Sequence, residues 1–298
     1  MDVGVVIPQG WTGEYDGWDP DRAWKRTAWL ARQADVLGFE SIWLFDHFHT
    51  VPEPTDEITF EAFTALSAVA AVTSRVRLGT LVSCAGYRNP ALVAKMIATL
   101  DVISGGRVDF GIGAGWKKDE WRAYGFGFPS LRERQARLRD ALEIAAQMLR
   151  ERCSTYEGTT ASIHDAFNVP QPANPNGIPI VVGGNGQDVT WRLAARYADE
   201  LNLDAVPPDE IGAMLTVIAD RCREVDRDPR SLAVSVHIWW EHLEAADAVE
   251  MLSAYRDAGV SRVMTLLRSS ATDDEALPAF RMAALQAGAT LAEETRAA

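Results

Sequence analysis

The chain has 298 residues, of which 47% are hydrophobic and 24% charged, and a formal net charge of −13. This composition is that of a soluble globular protein with enough chain for one large α/β domain or two smaller ones. The acidic surplus argues against a nucleic-acid partner, because binding a phosphate backbone needs a basic surface, but leaves room for a small anionic ligand held locally.

Three widely spaced cysteines, Cys84, Cys153 and Cys222, make neither a disulfide framework nor a CxxC metal site. A reducing cytoplasm is therefore the expected compartment. The opening "MDVGVVIPQG" has no basic segment ahead of its short apolar run and reads as a first strand, not a signal peptide. No run approaches the ~18 apolar residues of a membrane helix.

In chain order, short β-branched or apolar runs predict strands at 3–8, 40–46, 76–83, 107–112, 178–183, 200–205, 232–240 and 261–267. Helical periodicity fills the intervals at about 20–37, 59–73, 90–103, 131–150, 187–198, 208–225, 245–258 and 275–295, with start signals such as "NPAL" at 89–92 and "PPDE" at 207–210. Eight βα units in one domain over residues 1–298 predict a (β/α)8 TIM barrel, with a doubly wound sheet as the less regular alternative. Residues 151–177, rich in Pro, Asn, Gly and Thr, read as an insertion between units four and five, near the barrel mouth.

Reactive groups in such a barrel gather at the C-terminal ends of the strands. The second strand runs through "SIWLFDHFH". Alternation puts Trp43, Phe45, His47 and His49 on one face and Ile42, Leu44, Asp46 and Phe48 on the other, so Asp46 and His47 arrive together at the strand end. The third strand ends in "LVSCAGYRNP". The fourth and fifth end in glycine turns, "GIGAGWKKDEW" and "VVGGNGQDV", each leading into a helix whose free N–H groups favour an anion. Singly, such glycines more often serve a tight turn than a ligand. Two such turns on consecutive strands can share one extended, phosphate-bearing ligand. Neither fits a Rossmann fingerprint or a P-loop.

The HxH pair, His47 and His49, also matches a zinc-binding pattern of barrel hydrolases, for which His237 on the seventh strand is a further candidate ligand. No GxSxG, HExxH or cysteine–base pair appears, which leaves acyl transfer without support. Of ten tryptophans, Trp11, Trp18, Trp116 and Trp239 fall near strand ends, where flat rings could wall a pocket for a flat ligand. Trp24, Trp29 and Trp191 fall in helices as packing residues. Lys117, Lys118 and Arg122 beside the mouth could assist a polyanionic tail or simply be solvated.

Together, "ADVLGFESIWLFDHF", "TSRVRLGTLVSCAGYRNPALVAKMIATLDVISGGRVDFGIGAGW", "EWRAYGFGFPSLRERQARLRDALEI" and "PIVVGGNGQDVTWRLAARYADELNL" resemble the luciferase-like monooxygenase family, in its branch that uses the deazaflavin coenzyme F420. The resemblance covers the chain to about residue 205. It implies the barrel with an insertion, a homodimer, and a cofactor whose ring lies in the mouth. Asp46 and His47 match the pair beside that ring, with His47 stabilising or protonating the cofactor. Leu81 and Val82 match the position of a non-proline cis peptide behind the ring. Ala114, Gly115, Gly183 and Gly184, and more loosely Cys84, Asn185 and Gly186, match ring and phosphate contacts.

One position departs from the pattern. In the family's sugar-phosphate dehydrogenases a glutamate follows the second glycine of the fourth-strand turn, and here Trp116 stands there. The departure therefore suggests a small organic substrate of more apolar or aromatic character, or one that needs no deprotonation there, with Trp11 and Trp116 in its pocket. An FMN-dependent monooxygenase on the same barrel, a zinc hydrolase and a cofactor-binding protein without turnover are the competing readings.

Overall fold

The computed structural model describes residues 1–239 and 245–293. Eight parallel strands close into a barrel: β1 (Asp2–Val6), β2 (Ser41–Leu44), β3 (Arg77–Thr80) with its short continuation β4 (Ser83–Cys84), β5 (Val108–Gly113), β8 (Ile180–Gly183), β9 (Glu200–Asp204), β10 (Ala233–Trp239) and β11 (Arg262–Leu266). Closure is made by β1 pairing with β11 and by β3 pairing with β5. Helices α1 (Pro20–Val36), α2 (Ala62–Val72), α3 (Pro90–Ser104), α4 (Lys118–Ala123), α5 (Leu131–Met148), α6 (Val189–Tyr197), α7 (Pro208–Arg223), α8 (Ala245–Asp257) and α9 (Ala276–Gln286) join them. Every expected strand and helix is present; residue 240 of the seventh expected strand and residues 294–295 of the last expected helix lie outside the described residues. No helix among the described residues is long and apolar enough to cross a membrane.

The helix starts follow from local chemistry. Asn89 accepts hydrogen bonds from the backbone N–H groups of Ala91 and Leu92 ahead of Pro90, and Asp19 and Ser130 cap α1 and α5 in the same way. The strands alternate between a helix-facing layer and the barrel interior. Ile42, Leu44, Leu201, Leu203, Val234, Val236 and Ile238 pack outward in the main core, while Trp43, Phe45, Leu81, Val181, Met264 and Leu266 fill the interior.

The interior is solid from the bottom upward. At the N-terminal end, the buried Arg262 guanidinium reaches Glu40 at 2.9 Å and Asp109 at 3.0 Å and also pairs with Glu200, so a charged cluster plugs the barrel. Above it, the fully buried Trp43 indole lies across the axis and donates to the Ser41 hydroxyl at 2.7 Å. Glycines on the two flanking strands make room for it: a Cβ at Gly79 would sit 2.3 Å from the Trp43 ring, and one at Gly4 3.0 Å from its Nε1. With the bottom and middle filled, the C-terminal mouth is the end left open to a ligand.

The stretch 151–177 corrects the sequence expectation of its place. It forms an antiparallel hairpin, β6 (Cys153–Glu157) and β7 (Ser162–Phe167), held to α5 by Tyr156 and Thr160 on the Asp140 carboxylate and packed by Ile163 against Ala94, Ile144 and Met148. It lies over the outer helical layer at α3 and α5, not at the mouth, because it joins the end of α5 to the start of β8, a connection on the N-terminal side of the barrel.

Candidate active site

The C-terminal mouth holds a cavity of about 480 Å³, a volume suited to a ring system with a small co-substrate. Asp46, His47, Leu81, Val82, Cys84, Ala114, Gly115, Gly183 and Gly184 all line it, drawn from four strand ends as the strand-end rule anticipates. Trp11, Trp116 and Trp239 line it too. Asn185 and Gly186 stand at the exposed rim beyond its wall, and Trp18 lies elsewhere, packed on Tyr15 under the Arg22 guanidinium.

The floor is built from missing side chains. The expected cis peptide Leu81–Val82 is present and carries Val82 to the cavity. A Cβ at Gly113 would come within 2.9 Å of the Val82 side chain and one at Gly183 within 2.8 Å, so only glycine lets β5 and β8 pass this close. Hydroxyls of Thr80 and Ser83 both donate to the Gly111 carbonyl, at 2.8 and 2.5 Å, tying the β3–β4 break to β5. On the far side, the buried Trp191 indole donates to the Gly184 carbonyl at 2.9 Å and fixes the second glycine turn.

His47 lines the same cavity. Its ring stacks on Trp11, with centroids 4.1 Å apart and planes 4° from parallel, and meets Trp116 edge-on at 5.8 Å. Behind it, Nδ1 lies 2.7 Å from Oε2 of Glu120 on α4. Glu120 is completely buried and also accepts from the Phe48 backbone N–H at 2.9 Å and the Tyr87 hydroxyl at 3.0 Å. Burial pushes the Glu120 carboxyl up, but the His47 hydrogen bond and charge, the Phe48 N–H and the Tyr87 hydroxyl outweigh it and hold the group below the usual carboxylate range. A carboxylate on Nδ1 fixes ring orientation and leaves Nε2 to face the cavity.

The next residue, Trp121, anchors α4: it is fully buried in a slot walled by glycine, where a Cβ at Gly86 would sit 1.9 Å from its ring. Sequence reasoning misses both α4 and Glu120. The helix spans six residues, too few for a periodic signal, and the acid meets its histidine across 73 positions.

Asp46 plays a different part. Its two oxygens accept from both terminal nitrogens of Arg88 at 2.8 and 2.9 Å, and Oδ2 also accepts from the Cys84 N–H at 2.9 Å. Arg88 in turn reaches Glu61 at 2.6 Å. Burial works against the Arg88 charge, and the Asp46 and Glu61 carboxylates more than compensate. Asp46 thus clamps the ends of β2 and β4 together at the cavity edge. Burial pushes the Cys84 thiol up to about 12, so it stays protonated and is no nucleophile.

His49 turns away from His47 to Asp119 at 3.2 Å, and the Lys117 ammonium, buried at the cavity wall, also goes to Asp119, at 2.9 Å. Lys118 and Arg122 are exposed. Among the described residues, no three His, Cys, Asp or Glu side chains cluster as metal ligands.

A closed parallel barrel whose strand ends converge on one cavity is the frame of a TIM-barrel enzyme, and a family model described as luciferase-like monooxygenase matches residues 1–295: the chain belongs to that family. It is 40% identical over 174 residues to an F420-dependent glucose-6-phosphate dehydrogenase of Kineococcus radiotolerans, a match covering 57% of this chain and 49% of the relative, so the chain spans about half the length of that relative. To an enzyme of the same name from Intrasporangium calvum it is 31% identical over 260 residues, covering 78% of this chain and 74% of the relative. Among solved structures, an F420-dependent secondary alcohol dehydrogenase in complex with an F420–acetone adduct superposes with a TM-score of 0.81 at 19% identity over 96% of this chain and 99% of that one, which establishes the shared fold.

Proposed function

We propose that this protein is an F420-dependent oxidoreductase that moves a hydride between the deazaflavin and a small organic substrate at the barrel mouth. The observation that carries the reading is that one cavity is lined both by Val82 between the bare Gly113 and Gly183 and by a carboxylate-anchored imidazole. Such a floor suits a flat ring lying against backbone. When bound, the deazaflavin supplies the hydride chemistry at a ring carbon and reacts poorly with oxygen.

The chain's own residues do the rest. Val82, Ala114, Gly115, Gly183 and Gly184 would hold the ring and its near phosphate, with Leu81, Cys84 and Asp46 at the edge. Asn185 and Gly186, at the rim, fit the tail of the cofactor better than its ring. His47 presents Nε2 to the cavity, held by Glu120 and Trp11, and would stabilise charge or hold a proton there.

The substrate of this reading is not a sugar phosphate. Trp116 occupies the place of the family's acid, Trp11, Phe45 and Trp239 supply aromatic walls, and Lys117 on the cavity wall is already paired with Asp119. A compact, ring-bearing alcohol or ketone fits these walls. The homodimer and the cytoplasmic location belong to the same proposal, and light scattering reads the first directly.

Titrating the purified protein with F420 and with FMN tests the reading. Quenching of F420 fluorescence with a micromolar or lower Kd, and reduction of bound F420 by an alcohol, are the expected results. Binding of FMN without F420 would turn the assignment toward the flavin monooxygenases, and F420 binding with no turnover of any alcohol toward a carrier.

A further inference from the structure

The mouth holds a second imidazole–carboxylate pair that the hydride-transfer reading leaves unused. His237 lies at an inward position of β10, directly opposite Asp204 of β9 in the strand register. Its Nδ1 is 3.3 Å from Asp204 Oδ1, and its carbonyl accepts from the Ala205 N–H at 2.9 Å. Asp204 is itself fixed: its backbone N–H donates to the Asn185 side-chain oxygen at 2.9 Å, and its carbonyl accepts from Asn185 Nδ2 at 2.8 Å. The rim residue Asn185 therefore clamps the end of β9 beneath the pair.

His237 is only 5% exposed, its ring meets Phe45 at 5.3 Å and Trp239 at 4.7 Å, both edge-on, and it lines the cavity. Its Nε2 is buried and has no hydrogen-bond partner among the described residues. A buried ring nitrogen without a partner is costly, so a wall that holds one toward a cavity is matched to a polar atom of the ligand. The Nδ1–Asp204 contact favours the tautomer with its proton on Nδ1, which leaves Nε2 as an acceptor when the ring is neutral.

We propose that His237, oriented by Asp204, binds the substrate's oxygen and exchanges its proton. The proposal rests on the hydride-transfer reading above. In the oxidising direction the substrate carbon releases its hydride to the deazaflavin, the O–H bond breaks with its proton passing to Nε2, and the carbon–oxygen double bond forms. In the reducing direction the protonated ring returns that proton to the carbonyl oxygen. Aromatic neighbours on both sides of His237 select an oxygen carried next to a flat apolar group.

The test uses acetophenone as the probe and begins with cofactor-free, full-length protein carrying 15N-labelled histidine. Titration with acetophenone should shift the His237 Nε2 resonance, identified by its loss in His237→Gln, and His237→Gln should bind the ketone at least tenfold more weakly. Asp204→Asn, altered at an exposed side chain, should weaken binding about threefold and keep the wild-type melting temperature. With F420 added, His237→Gln should retain the cofactor Kd within about threefold and lose at least 100-fold in kcat/KM for 1-phenylethanol. An unmoved His237 resonance, ketone binding within twofold of wild type in His237→Gln, or unchanged kcat/KM in that variant overturns the proposal. Failure of wild type to bind F420 overturns the cofactor reading instead, and the cofactor-free titration still decides the role of His237.

Discussion

The His47 imidazole and the Glu120 carboxylate are joined at 2.7 Å, although the acid sits on a six-residue helix after β5 and the histidine just beyond β2. The acid's other oxygen takes the Phe48 N–H, so it grips both the ring and the backbone that carries it. Glu120→Gln keeps the shape and removes the charge. The expected outcome is a loss of at least tenfold in kcat with F420 affinity within about threefold, read by stopped-flow reduction and fluorescence titration. Unchanged kcat would mean that the pair only packs the loop.

The same pair sets a dependence of stability on pH. Glu120 has its carboxyl lowered in the folded protein, so it binds a proton more readily when unfolded, and its stabilisation is present above the ordinary glutamate value of about 4.3 and fades as pH falls through the lower folded value. Urea midpoints should therefore show wild type above Glu120→Gln at about pH 5.5, with the margin narrowing as pH falls below about 4.5. A margin that widens with acid would reverse this sign.

At the floor, Gly183→Ala places a methyl 2.8 Å from Val82 and under the face where the ring would lie. Val82 must shift to admit the methyl, and F420 affinity should fall at least tenfold. Equal affinity in the variant, measured by fluorescence quenching, would put the ring elsewhere in the mouth.

Lower in the barrel, Gly79→Ala drives a methyl to 2.3 Å from the Trp43 ring, which has nowhere to go in a filled interior. Overpacking of this kind costs about 1–3 kcal/mol. Thermal denaturation should show the loss, and adding Trp43→Phe should return part of it, because the two positions share one space. Additive losses would show that the two residues do not compete.

Much of the fold and of the mouth is legible in the sequence. The period-two alternation that puts Phe45 and His47 on one face follows from the strand itself, and the same strand pattern sets glycines at the ends of β5 and β8. Motif resemblance locates the Leu81–Val82 bond. The hairpin of residues 153–167 reads as irregular because its strands are largely exposed and carry few apolar residues, and α4 escapes notice because six residues make no periodic pattern. Trp18 falls among the expected pocket tryptophans because nearness to a strand end in sequence does not say which way the following loop turns.

Local chemistry, repeated eight times, is enough for the barrel: each strand and helix is specified by the spacing of its own side chains, and parallel strands joined by helices close in few ways. It also brings Asp46 and His47 to the mouth. Folding alone decides what each of them does there, because partners come from distant turns of the chain. Arg88 engages Asp46 as a clamp, Glu120 holds His47 toward the cavity, and Asp204 orients a histidine that no short motif marks. A side chain's type and direction are written locally, but its hydrogen-bond partner depends on which strand closes beside it.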